Sequence, residues 1–121
     1  MISVVTAYYN SHDFIGKAFE SLKAQSHDCW EWIIVDDGSQ PEAVAALNTI
    51  IGNEERVRVL TQKNAGQGAA RNRGAREAKG DFLCFLDSDD WFDRHKLEKQ
   101  LAFMRENKSD LSFTAVEGVW Q

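Results

Sequence analysis

The chain has 121 residues, with 14 Lys plus Arg against 19 Asp plus Glu and a formal net charge of −5. With 43% hydrophobic and 27% charged residues it has the composition of a globular chain that buries a real core, which excludes a disordered one. The acid excess also argues against a partner that is nucleic acid, because reading a phosphate backbone needs a basic surface.

Cys29 and Cys84 form no C-x-x-C pair, and no apolar run reaches membrane length. Free thiols and a cytoplasmic location are therefore expected. Pro41 is the single proline and no Ser/Gly-rich stretch interrupts the chain, so residues 1–121 read as part of one domain.

Apolar runs alternate with amphipathic stretches along the chain. Ile2 to Thr6 reads as a strand, followed by a helix-start signal at Asn10-Ser11-His12-Asp13 and helical spacing of Phe14, Ile15, Ala18, Phe19 and Leu22. Trp30 to Asp36 is a second strand, broken by Gly38-Ser39. Ser39 and Glu42 make a capping box with Pro41 in the first turn, opening a helix whose apolar face is Val44, Leu47, Ile50 and Ile51. Arg56 to Thr61 is a third strand. After a glycine-containing turn, Ala69 to Lys79 reads as a helix stopped by Gly80. Phe82 to Leu86 is continuously apolar, the pattern of a central parallel strand covered on both faces. A helix over Asp93–Asn107 and a fifth strand over Asp110–Val116 follow. The alternation predicts an α/β fold, a mostly parallel sheet with helices on both faces. The chain ends sooner after its fifth strand than a doubly wound domain normally does, so a truncated or partial domain is expected.

Ligands of open parallel sheets bind at the carboxyl ends of the strands. Thr6 to Asn10, Asp36-Asp37-Gly38-Ser39 and Asp87-Ser88-Asp89-Asp90 fall at three such ends, so five carboxylates can converge in one cleft. Asp-x-Asp offers hard oxygen donors to Mn²⁺ or Mg²⁺, which would share its remaining positions with substrate phosphates and stabilise a departing phosphate group. The competing reading is an aspartate-rich turn at a helix start, which suits Asp90 and Asp93 best. Asn64 to Gly74 opens a helix with small residues but is neither a P-loop nor a Gly-x-Gly-x-x-Gly fingerprint. Arg71 within it is a cation for a ligand or a partner for a carboxylate. Trp30 and Trp32 read as packing residues by strand alternation, and Trp91 as the tryptophan nearest the site. His12, His27 and His95 have no metal-ligand spacing, and Cys84 reads as a small buried hydrophobe.

Four segments in register carry a resemblance: Val4 to Asn10, Ile34 to Ser39, Asn64 to Asn72, and Phe85 to Asp90. Together they resemble the family 2 glycosyltransferases of the GT-A fold over about the first hundred residues. Ala7 departs from the pattern, standing where that family usually has a proline shortly before its aromatic–Asn pair. The resemblance implies an enzyme moving a sugar from a nucleotide diphosphate donor, with UDP and inversion favoured, to a hydroxyl of a carbohydrate or lipid-linked acceptor. It implies polysaccharide or cell-wall biogenesis at the inner face of a membrane. It puts Thr6, Ala7 and Tyr8 along the base pocket and makes Asp37 an acceptor for the base. It puts Asp87 near the ribose and sugar, Asp89 on a Mn²⁺ or Mg²⁺ ion, and Arg71 in the donor site. The family's catalytic base lies downstream and is expected beyond Gln121. Two rivals stand beside this reading. A nucleotidyltransferase would carry a glycine-rich basic loop after the first strand, which Thr6 to Asn10 lacks. A nucleotide-sugar-binding module without transfer is the other. Setting Asp36, Asp37, Asp87, Asp89 and Asp90 aside leaves acids and bases equal at 14 each, so the −5 matches the charge of the expected metal–nucleotide site.

Overall fold

A computed structural model describes residues 1–107, and the predicted fifth strand lies outside them. Eight elements alternate: β1 (Ile2–Tyr8), α1 (Ile15–Lys23), β2 (Trp30–Asp37), α2 (Pro41–Ile51), β3 (Val57–Gln62), α3 (Gln67–Glu77), β4 (Phe82–Phe85) and α4 (Lys96–Asn107). The strands form one parallel sheet in the order β3-β2-β1-β4. Strand order reverses between β1 and β4, the kind of crevice where ligands of open α/β sheets bind.

Strand alternation sorts side chains into two layers. Ile2, Val4, Tyr8, Trp30, Trp32 and Ile34 face one side, where α1, α2 and α4 bring Phe19, Leu22, Leu47, Leu97 and Met104. Val5, Ile33 and Val35 face the other, under Ala70 of α3. α3 lies flush because residue 74 is glycine: a Cβ there would collide with Val5 Cγ1 and stand 3.3 Å from Val35 Cγ2. Helices therefore cover both faces, and Trp30 and Trp32 are buried packing residues as alternation predicts.

Several boundaries differ from the sequence reading. Ser11 C=O accepts the amides of Phe14 and Ile15, so a turn occupies residues 11–14 and α1 starts only at Ile15. Ser39 does not cap α2; the cap residue is Gln40, and Ser39 Oγ accepts from Asn10 N at 3.0 Å instead. α3 starts at Gln67 and stops where Ala78 turns extended. Gly80 serves close approach, since a Cβ there would sit 2.6 Å from Met1 O and Ser3 Oγ. Asp93 C=O accepts Lys96 N, and α4 begins after that turn. Among the described residues β4 pairs with β1 alone, and β1 and β2 are the central strands.

The amino end of the sheet is tied by a polar network. Ser3 Oγ donates to Glu31 Oε2 at 2.5 Å, Lys79 N donates to the same oxygen at 2.6 Å, and Gly80 N donates to Ser3 Oγ at 2.7 Å. Burial would raise the Glu31 carboxyl, but these donors and Arg58 outweigh it and hold it below its ordinary value. No helix among the described residues is long and apolar enough to cross a membrane.

Candidate functional site

A cleft of about 360 Å³ opens at the carboxyl ends of the four strands. Its lining includes Ala7 at the end of β1 with Tyr9 and Ser11 after it, Asp37 closing β2, Asn64 and Gly66 before α3 with Gln67 opening it, and Ser88 after β4. The site is thus built from the loops of all four strand–helix units, as the topology requires.

Asp37 organises it. Its Oδ1 accepts Ala65 N at 2.8 Å and Gln62 Nε2 at 2.9 Å; its Oδ2 accepts Gly66 N at 2.9 Å and, less closely, Asn64 Nδ2 at 3.3 Å. A carboxylate has about four lone-pair sites, and here each has a protein donor. Burial acts to raise this carboxyl, but the donors outweigh burial and keep it below its ordinary value. The amides of Ala65 and Gly66, just ahead of α3, are turned onto Asp37, whose charge sits near the helix amino end where the dipole favours it. The approach depends on Gly38, which has φ +77 and whose absent Cβ would lie 2.8 Å from Asn64 N.

The β1 loop is held against the same wall. Asn10, with φ +51, accepts Gln40 N on its Oδ1 at 2.8 Å, and its own amide donates to Ser39 Oγ. Ser11 Oγ donates to Tyr9 O at 3.0 Å. The Tyr9 side chain is half exposed over the cleft.

The family model for glycosyl transferase family 2 matches residues 3–119. The chain belongs to glycosyl transferase family 2. It is 42% identical over 115 residues to the putative teichuronic acid biosynthesis glycosyltransferase TuaG of Bacillus subtilis, covering 94% of this chain and 46% of that protein. It is 35% identical to the poly(ribitol-phosphate) beta-glucosyltransferase of Bacillus spizizenii, covering 98% of this chain and 19% of that protein. Among solved structures it is similar to S. aureus TarS 1–349 in complex with UDP-GlcNAc, with a TM-score of 0.80, 30% identity, and coverage of 89% of this chain and 32% of that one. The mannosyltransferase PcManGT from Pyrobaculum calidifontis, solved with GDP-Man and Mn2+, shares the fold at a TM-score of 0.77 and 20% identity, over 85% of this chain and 32% of that one. The chain thus spans about half the length of TuaG and a third of the TarS fragment. The GT-A type of α/β fold that the motifs imply is the fold observed.

Not every residue that family resemblance singled out reaches the cleft. Ala7 and Asp37 line it. The Thr6 side chain does not: it is buried, donating to Leu86 O at 2.6 Å and accepting Trp32 Nε1 at 2.8 Å. Tyr8 borders the cleft but is fully buried, its hydroxyl donating to Ala43 O at 2.7 Å. Burial first, then the nearby Asp36 and Asp13, push that hydroxyl up to about 12, so it stays a neutral donor. Arg71 donates to Asp87 Oδ1 at 2.7 Å, the carboxylate contact that one of its two readings expects. Asp89 is exposed. The five carboxylates do not converge: among the described residues no three His, Cys, Asp or Glu side chains gather closely enough to hold a metal. Asp36 accepts Ser39 N within its own turn, and Asp90 Oδ1 accepts Trp91 N, so the turn reading fits both. Trp91 stands outside the cleft lining, half exposed, with Lys17 Nζ 3.7 Å from its ring centroid. The lining residues not singled out as site residues are Tyr9, Ser11, Asn64, Gly66, Gln67 and Ser88; all but Ser11 lie within the segments that carry the family resemblance.

Proposed function

We propose that the protein to which this chain belongs transfers a sugar from a nucleotide diphosphate donor, a UDP-sugar, to a hydroxyl of a carbohydrate or lipid-linked cell-wall acceptor, and that residues 1–121 are its donor-binding part. The observation that carries this is the cleft at the carboxyl ends of the strands, walled by Asp37 and the Tyr9 side chain, in a family 2 chain. Its support is the 30% identical TarS structure, which holds UDP-GlcNAc, and relatives named for glycosyl transfer in teichuronic acid and poly(ribitol-phosphate) synthesis.

In this reading the base enters between Tyr9 and the Asp37 wall. Asp37 meets it with its Oδ2, where a donor of the base would displace Asn64 Nδ2, the longest of the four contacts at 3.3 Å. Ala7 bounds the pocket floor, Thr6 and Tyr8 support it from beneath, and Asp87 with Arg71 stands on the side of the sugar. A divalent ion, Mn²⁺ or Mg²⁺, fits the donor chemistry of Asp89: a hard carboxylate oxygen, exposed, in a set too small to hold a metal without added ligands. Such an ion would supply charge stabilisation to the departing diphosphate. Inversion would need an acceptor-side base, which this reading puts beyond Gln121.

Calorimetric titration of UDP with and without Mn²⁺ tests the reading. Binding strengthened by the ion in the unaltered chain, and no longer strengthened in Asp89→Ala, is expected. Absence of UDP binding to the full-length protein, or ion dependence unchanged in Asp89→Ala, would overturn it.

A further inference from the structure

Asn10 is the one non-glycine residue with a left-handed backbone among those described, at φ +51. Asparagine tolerates that region better than other side-chain-bearing residues, so its identity is tied to the conformation. Its side chain and its amide both cross to the loop after β2. Oδ1 accepts Gln40 N at 2.8 Å and the amide donates to Ser39 Oγ at 3.0 Å, across 30 and 29 residues of sequence. The residues on either side, Tyr9 and Ser11, line the cleft, and the loop it grips directly follows Asp37, the last residue of β2.

We infer that Asn10 is a positioning residue of the donor site: it fixes the spacing between the Tyr9 wall and the Asp37 wall, and so the width of the slot offered to a flat heterocycle. The inference rests on the nucleotide reading above and adds a residue that touches neither base nor sugar. Three features support it. The two contacts are reciprocal, one donated and one accepted, so they set orientation as well as distance. Asp36 Oδ1 accepts Ser39 N at 3.1 Å, which holds Ser39 to the start of the Asp37 loop. Ser11 Oγ locks the carbonyl of Tyr9, so a shift at Asn10 is passed to the aromatic wall.

The test separates the clamp from backbone strain and from general stability. Asn10→Gly keeps the left-handed backbone and deletes the side-chain acceptor, whereas Asn10→Asp keeps an acceptor oxygen and the tolerated backbone. Ser3→Ala cuts the network at the opposite end of the sheet and serves as a stability control. In the full-length protein, Asn10→Gly should weaken UDP binding about fivefold, the factor for losing one net hydrogen bond. It should also speed amide exchange in residues 9–11 and 39–40 together. Asn10→Asp should restore both, and Ser3→Ala should lower the melting temperature with UDP affinity unchanged. Unchanged exchange in the 39–40 loop of Asn10→Gly overturns the clamp. So does a UDP affinity that follows melting temperature alike in Asn10→Gly and Ser3→Ala. Coupled exchange in a protein that binds no UDP overturns the nucleotide reading and leaves the clamp between the loops standing.

Discussion

Asp37→Asn tests whether this carboxylate is the keystone of the site. An amide keeps one oxygen, which can serve one side of the original set: Gln62 Nε2 with Ala65 N, or Gly66 N with Asn64 Nδ2. The new NH2 then faces the other pair, donor against donor. Two hydrogen bonds to a charged acceptor are lost, each worth about 1.5 kcal/mol at the low end of the usual range, fitting for a cleft open to water. The loss is about 3 kcal/mol, a large share of a typical domain stability. With a urea slope of about 1.5 kcal/mol/M it moves the unfolding midpoint down by about 2 M. The effect has a pH signature. The folded-state carboxyl lies below its ordinary value of 3.8, so its contribution is complete above that pH and is lost as pH falls through the lower folded value. The gap between wild type and variant should therefore be full at pH 7 and close in acid. Equal midpoints at pH 7, or a gap that persists unchanged in strong acid, would refute the assignment. Equal midpoints with weakened UDP binding would show that the carboxylate serves the ligand and not the loops.

Thr6→Val should destabilise by about 2–4 kcal/mol in the same urea assay while leaving UDP affinity intact, because it strands the buried Trp32 N–H and the Leu86 carbonyl away from the ligand. Gly74→Ala should cost about 1–3 kcal/mol by forcing α3 off Val5 and Val35; an unchanged midpoint would mean the helix gives way freely. Native protein treated with a thiol reagent at pH 8 should label Cys29 alone, since Cys84 is buried and burial pushes its thiol up to about 12; denaturant should expose the second site.

The layers of this fold are written in local pattern, and the site is not. Periodicities of 2 and 3.6 are set by neighbours in sequence, so Ile2, Val4, Trp30 and Trp32 on one face and Val5, Ile33 and Val35 on the other follow from alternation. The same alternation bears on Thr6 and Tyr8, which share the parity of Ile2 and Val4 and turn into the helix layer; Tyr8 still borders the cleft beside Ala7 and Tyr9, whereas Thr6 does not line it. Ser39 shows the limit of local signals. The Ser-x-x-Glu spacing is present, but Asn10, distant in sequence, offers Ser39 another partner and takes the Gln40 amide. Asp37 is the extreme case, with donors 25 to 29 residues away that no spacing rule could assign.

The acid excess of the chain can be followed to the end of the same argument. Of the five aspartates at the strand ends, Asp36 and Asp90 close their own turns, Asp37 saturates four donors, and Asp87 is paired with Arg71. The −5 is therefore not one pool of charge waiting for a cation; only Asp89 stands exposed without such a commitment. This arrangement gives the cleft a direction. A carboxylate held just ahead of the amino end of α3 puts a negative charge where a diphosphate would otherwise approach the helix dipole. In the proposed reading the diphosphate consequently runs toward the β4 side, where Ser88 lines the cleft and Asp89 follows, and the Asp37 side is reserved for a neutral, hydrogen-bonding base. Reversing the Asp37 charge with Asp37→Lys would, on this logic, abolish the loop packing before it could reorient a ligand, because a lysine offers no acceptor to any of the donors now held there.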